Sequence, residues 1–208
     1  MSIHHCILAF AFCVGLVASP AYASRPLNEF ADCLVDHDAT RMKAWTEWDG
    51  PGLIYKEIHA AASRSGCRSV DMEYWNFRGA LAEALLKREF RSTPLPKFED
   101  MEPVTDVQMA LAWRNNDGRN SMLLNVFSEC EVRQSAERVF GILKVEPGSD
   151  SEKRALKALR KDATTCRSLA GDVSTNITDQ SLRARLAIAL YRMAMKAQEA
   201  SAGVPADA

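Results

Sequence analysis

Apolar positions in this chain recur at helical spacing. Phe77, Leu81, Ala84 and Leu85 fall at i, i+4, i+7 and i+8, one stripe on a helix expected from about Asp71 to Arg91. Leu182, Leu186, Ala189, Leu190 and Met193 mark a similar stripe from Thr178 to about Glu199. Leu27 to about Trp48 carries Phe30, Leu34, Met42 and Trp45, with a bend expected near Asp36-His37-Asp38. Ser121 to Leu143 carries Phe127, Val132, Ala136, Val139, Phe140 and Leu143. Two shorter helices are expected. Pro51 suits the first turn of one that ends at Ser65. Ser149-Asp-Ser-Glu152 has capping-box spacing and opens one running to about Cys166. Period-two alternation is missing and strong helix formers dominate, so the fold class is all-α.

Breaks in the pattern set the organisation. Pro94, Pro96 and Pro103 forbid a continuous helix between Ser92 and Pro103 and favour an extended linker. A short helix from Val104 to Arg114 and a polar turn over Asn115 to Asn120 follow. The division expected is a signal peptide at 1–23, a first helical unit at 24–91, a linker at 92–120, a second unit at 121–199 and a disordered tail at 200–208.

The two units say the same thing. Phe30-Ala-Asp-Cys33 reappears as Phe127-Ser-Glu-Cys130, and Cys67-Arg-Ser69 as Cys166-Arg-Ser168. Arg78-Gly-Ala-Leu-Ala-Glu-Ala-Leu85 reappears as Arg183-Ala-Arg-Leu-Ala-Ile-Ala-Leu190. Three blocks in one order point to an internal duplication of a three-helix unit.

The duplication also pairs the cysteines. Four remain once the leader is set aside, and four allow three connectivities. Each copy holds one early and one late cysteine, 34 and 36 residues apart. Pairing within copies, Cys33–Cys67 and Cys130–Cys166, lets each unit close by itself. Each bridge would remove roughly 3–4 kcal/mol of denatured-chain freedom on the loop-entropy model. Units of this size have small cores that a covalent staple helps. No close Cys-x-x-Cys pair suggests zinc or a thioredoxin-like redox centre.

The leader reads as secretory. Residues 1–23 hold no Lys, Arg, Asp or Glu, Ile7 to Val17 is apolar, and Ala21-Tyr22-Ala23 offers small residues to a signal peptidase, with cleavage expected between Ala23 and Ser24. The apolar stretch is shorter than the ~20 residues of a spanning helix. Oxidised cysteines suit the same compartment, periplasmic or extracellular. The remainder carries 26 basic and 27 acidic residues, a balance that argues against nucleic acid as main ligand and against a polybasic membrane patch.

Candidate chemistry is thin. Asp32, Asp36, His37 and Asp38 crowd donors together, but a solvated face ending in a cap at Asp38 explains them, and the second copy has no twin. No metal site, cofactor or catalytic residue is assigned. His59 has no Gly-x-Ser-x-Gly elbow near it. Arg78 and Arg183 open the twinned stretches: a pair able to grip an anionic group, or more plainly helix arginines meeting carboxylates or covering apolar surface. Trp45, Trp48, Trp75 and Trp113 all lie in the first half. They fill a core, or they line a groove on the first copy or between copies. Trp75, Trp113, Arg78, Arg183 and Tyr191 are the binding residues to examine.

The pattern Phe-x-x-Cys, Pro-Gly-Ser-x-x-Glu, Cys, then Arg-x-x-Leu-Ala-x-Ala-Leu-Tyr resembles a family of uncharacterised secreted proteins of alphaproteobacteria, chiefly sphingomonads. The second copy fits better, with Phe127, Cys130, Pro147-Gly-Ser149, Cys166, Arg183 and Leu186 to Tyr191. The first copy departs at Gly50-Pro-Gly52 and at Leu86 in place of the tyrosine. The resemblance implies an exported helical protein and supplies no catalytic residue.

The leading expectation is a non-enzymatic envelope module that binds a protein or peptide through apolar and aromatic contact between helices. One alternative is an enzyme acting on envelope polymers, with Asp71, Glu73 and Glu83 as candidate acids and bases. The other is a periplasmic stress chaperone.

Overall fold

The computed structural model describes residues 21–47, 54–112, 114–171 and 176–202. Eight helices and no strands occur among them, as the periodicity requires. They are α1 (Ala21–Glu47), α2 (Ile54–Ser65), α3 (Tyr74–Glu89), α4 (Val107–Ala112), α5 (Asn116–Lys144), α6 (Asp150–Asp162), α7 (Thr164–Ala170) and α8 (Asp179–Ala202).

The long first helix of each half breaks at the same place. Asp38 leaves helical geometry at φ −153°, ψ 72°, and Ser135 does so at φ −156°, ψ 51°. Both lie five residues after a bridge cysteine, Cys33 or Cys130. Asp38 is a cap: its Oδ1 accepts the Arg41 backbone N–H at 3.0 Å and starts the second segment of α1. The bend expected near Asp36 to Asp38 is therefore a restart.

Several boundaries differ from expectation. Helix α1 begins at Ala21 and not at Leu27, and α4 begins at Val107 and not at Val104. The stretch Asn116 to Asn120 is helical, because Asn115 accepts the Asp117 N–H at 2.8 Å and caps α5 five residues early. The helix expected to reach Cys166 stops at Asp162, and a separate helix of about two turns, α7, carries Cys166. Its opening is as expected: the Ser149 hydroxyl accepts the Glu152 N–H at 3.2 Å, and the Glu152 carboxylate accepts back from the Gly148 N–H.

Both expected disulfides are present. Cys33–Cys67 spans 5.9 Å between Cα atoms and Cys130–Cys166 spans 5.5 Å. At the first, Gly66 takes the left-handed conformation (φ +72°) that ends α2, and the Cys67 N–H bonds the Ala62 carbonyl at 3.1 Å. That helix terminator delivers Cys67 to α1.

The halves do not keep separate cores. One apolar cluster runs from Phe30, Leu34 and Phe77 through Leu81 and Leu186 to Phe127 and Val139. It closes where α3 crosses α8, and there Gly79 lies directly against Ala184. The proline-bearing stretch is no free spacer. Phe98 is buried, and the buried carboxylate of Glu129 on α5 accepts the N–H groups of Val104 and Thr105 at 3.0 and 2.9 Å and the Thr105 hydroxyl at 2.5 Å. Residues 91–106 thus form a strap lashed to α5. No helix among the described residues is long and apolar enough to cross a membrane. Residues 1–20, 48–53, 113, 172–175 and 203–208, which include the expected leader, Trp48 and Trp113, lie outside the described residues.

Candidate functional site

The strap, α5 and α8 leave a groove between them of about 830 Å³. Its apolar wall comes from Trp75 on α3, Met109 on α4, Met122 on α5, and Tyr191 and Met195 on α8. Glu129 ties Val104 and Thr105, which also line the groove, to α5. Methionines suit such a wall, since their unbranched side chains adapt to varied apolar partners.

Tyr191 is fully buried, and among the described residues its hydroxyl has no hydrogen-bond partner. Burial pushes its phenol pKa up, with smaller pushes from the charges of Glu89 and Glu47. A buried hydroxyl without a partner is costly, and Tyr191 is one of the residues that line the groove.

Beyond Trp75 lies a second cavity of about 540 Å³, reached by Glu73, Asn120, Asn176, Ser181 and Arg185. Arg185 is 5% exposed and stacks over the Trp75 indole at 3.8 Å. Its Nη1 donates to Asn125 Oδ1 at 2.7 Å and its Nη2 to Ser121 Oγ at 2.8 Å. Asn125 and Ser121 also line the groove. One indole and one guanidinium therefore partition the two spaces.

The five residues singled out from sequence divide. Trp75 and Tyr191 come together in the groove. Arg78 is buried beneath them, its Nη2 donating to the Thr46 carbonyl at 2.5 Å and its guanidinium 5.1 Å from the Trp75 ring. Arg183 points elsewhere, into the seam between halves. It forks onto Glu83 at 2.7 and 2.8 Å, meets Glu152 at 2.9 Å, and donates to the carbonyls of Ile142, Leu143 and Val145. Burial disfavours its charge, but hydrogen bonds and charges from Glu83 and Glu152 outweigh this and raise its pKa. Arg183 is a structural clasp, as the plainer reading expects. Trp113 lies outside the described residues, and Trp45 is core.

Other candidates find structural work or stay isolated. Glu83 is held by Arg183 and Lys87, so its carboxylate is engaged in ion pairs. Asp71 and Glu73 are exposed, and Glu73 accepts from Asn76 at 2.9 Å. His37 lies against the Cys33–Cys67 bridge, whose sulfurs are spent on each other. Ser69 sits 3.0 Å from His59 Nδ1 on an exposed surface, outside the lining of either cavity.

Arg185, Met122 and Met195 escaped the sequence reading. A signal existed in the matched segments of the two halves. Core positions are alike in them, as in Leu81/Leu186 and Leu85/Leu190. The partition residues are not: Trp75, Arg185 and Tyr191 stand opposite Gln180, Ala80 and Leu86. Comparison with known proteins finds no family model, no characterised sequence and no solved structure that matches this chain.

Proposed function

We propose that the protein is an exported, non-enzymatic module that binds a peptide segment of a cell-envelope protein in the groove between the strap, α5 and α8. The single observation that carries this reading is the groove walled by Trp75, Met109, Met122, Tyr191 and Met195. A peptide supplies apolar side chains that such an adaptable wall can bury. The two disulfides are in keeping with an oxidising compartment. Cleavage after Ala23 would leave Pro26 in the first turn of α1, where its missing N–H costs nothing. The twin breaks in α1 and α5 support descent from a duplicated unit.

Selection from a displayed random-peptide library on the oxidised protein tests the reading. Selected peptides should be rich in large apolar residues and lose at least about tenfold in affinity against Met122→Glu and Met195→Glu, as expected when charge enters an apolar contact. Unchanged binding by both folded variants would overturn it.

A further inference from the structure

Arg183 and Arg185 are two residues apart on α8 and both are buried, yet their partners differ in kind. Arg183 meets two carboxylates. Arg185 meets an amide oxygen, a hydroxyl and an indole face, and among the described residues no carboxylate lies within ion-pair distance of it. Burial, with Arg78 and Arg192 nearby, lowers its pKa to about 10, against the opposing pull of Glu73 and Tyr74. The matching position in the first half is Ala80, which is also buried, so the shared plan of the two halves does not itself require an arginine there.

The cavity on which Arg185 opens is suited to an anion. Its other polar groups include the amides of Asn120 and Asn176 and the hydroxyls of Thr178 and Ser181. It also lies at the start of α8, whose partial positive charge adds to that of Arg185. Thr178 caps that end through the Ser181 N–H at 3.2 Å. Glu73, the one acid in the lining, is exposed and accepts a hydrogen bond from Asn76, and no ion pair joins it to Arg185 among the described residues.

We propose that this cavity seats a carboxylate on the ligand held in the neighbouring groove, with the Arg185 guanidinium as its partner and Trp75 as the wall the ligand passes. The inference rests on the peptide reading above. The carboxylate is supplied by the peptide's free C-terminus or by an acidic side chain following the apolar residues. Planar pairing of guanidinium with carboxylate gives direction and specificity, while the groove gives apolar contact.

Three probes separate the sources: N-acetyl-Met-Phe as the free acid, the same dipeptide amidated, and N-acetyl-Met-Phe-Glu amidated at its end. Each is titrated into the full oxidised chain. The ¹³C methyl signals of Met122 and Met195 report the groove, and the ¹⁵Nε signal of Arg185 reports the seat. The free acid should move both sets and bind about tenfold more tightly than the amide, as a charge-assisted hydrogen bond predicts. If the glutamate probe matches the acid, a side chain can serve as the source; if it matches the amide, the chain end is required. Arg185→Lys should shrink the acid-over-amide preference and leave the methionine shifts in place.

Equal binding of all three probes, or an Arg185 signal that none of them moves, overturns the seat. If the methionine methyls stay still with every probe, the groove reading fails. Acetate against chloride then decides the seat alone: a saturable Arg185 shift specific to acetate upholds it, and no shift removes it.

Discussion

Gly79 and Ala184 occupy matching positions in the two halves and touch each other where α3 crosses α8. A methyl added at Gly79 would overlap the Cα and Cβ of Ala184, so the helices can be this close only without it. Gly79→Ala should therefore destabilise the fold by about 1–3 kcal/mol, the usual cost of overpacking. This is despite alanine's helix-propensity advantage of about 1 kcal/mol. Thermal and denaturant unfolding measure it, and a stabilised variant would mean the crossing is wider than described.

The Glu83–Arg183 fork joins α3 of one half to α8 of the other, with both side chains almost wholly buried. Removing one partner leaves the other under-compensated, Arg183 with Glu152 and three carbonyls and Glu83 with Lys87. Glu83→Leu or Arg183→Met should each cost about 3–5 kcal/mol. The two combined should cost less than the sum, because the ion pair they share is lost only once. A double-mutant cycle in urea unfolding reads the coupling, and simple additivity would show that the two act independently.

Glu131 sets a pH dependence. Burial raises its carboxyl to about 7, with Asp162 adding to the rise and Arg138 and Arg167 opposing it. The folded state therefore holds this proton more tightly than the unfolded chain does, whose carboxyl titrates near 4.5. The resulting stability is complete below about pH 4.5 and is lost as the pH climbs to about 7, by at most about 3 kcal/mol. Glu131→Gln should flatten that part of the profile and gain on the wild type most clearly above pH 7. Melting temperature against pH checks this, and parallel curves for the two proteins would exclude it.

Glu129 carries the strap on its three accepted hydrogen bonds. Replacing it with alanine removes the acceptor and leaves the Val104 and Thr105 N–H groups to find water. Residues 91–106 should then become the first site of limited proteolysis, with a stability loss of about 2–4 kcal/mol. An unchanged digestion pattern would mean that Phe98 and its neighbours hold the strap without Glu129.

How much of this was legible in the chain depends on whether the cause is local. The stripes on α3 and α8, the capping box at Ser149 and the break near Asp38 are written in spacings of three to five residues, which is the range of helix geometry. Asn115 shows the limit. It reads equally as a turn residue or as a cap, and α5 begins there because the residues after it continue into a helix that packs on α8. The disulfide pairing is a long-range fact that became legible only because the pattern was stated twice.

Arg183 and Arg185 mark what sequence by itself does not decide. In the chain they are neighbours of one type in one helix. A separation of two residues turns them about 200° apart around the helix axis, so they face different surroundings. Arg183 meets Glu83 and Glu152 at the seam, while Arg185 meets Trp75 and an open cavity. Residue order and periodicity determined the helices, the break in α1 and the staples, because those depend on near neighbours or on the repeated pattern. The groove, the partition and the different fates of two arginines came from the packing of α3, α5, α8 and the strap. Contacts between elements far apart in sequence are chosen by shape and burial, and spacing along the chain does not record them.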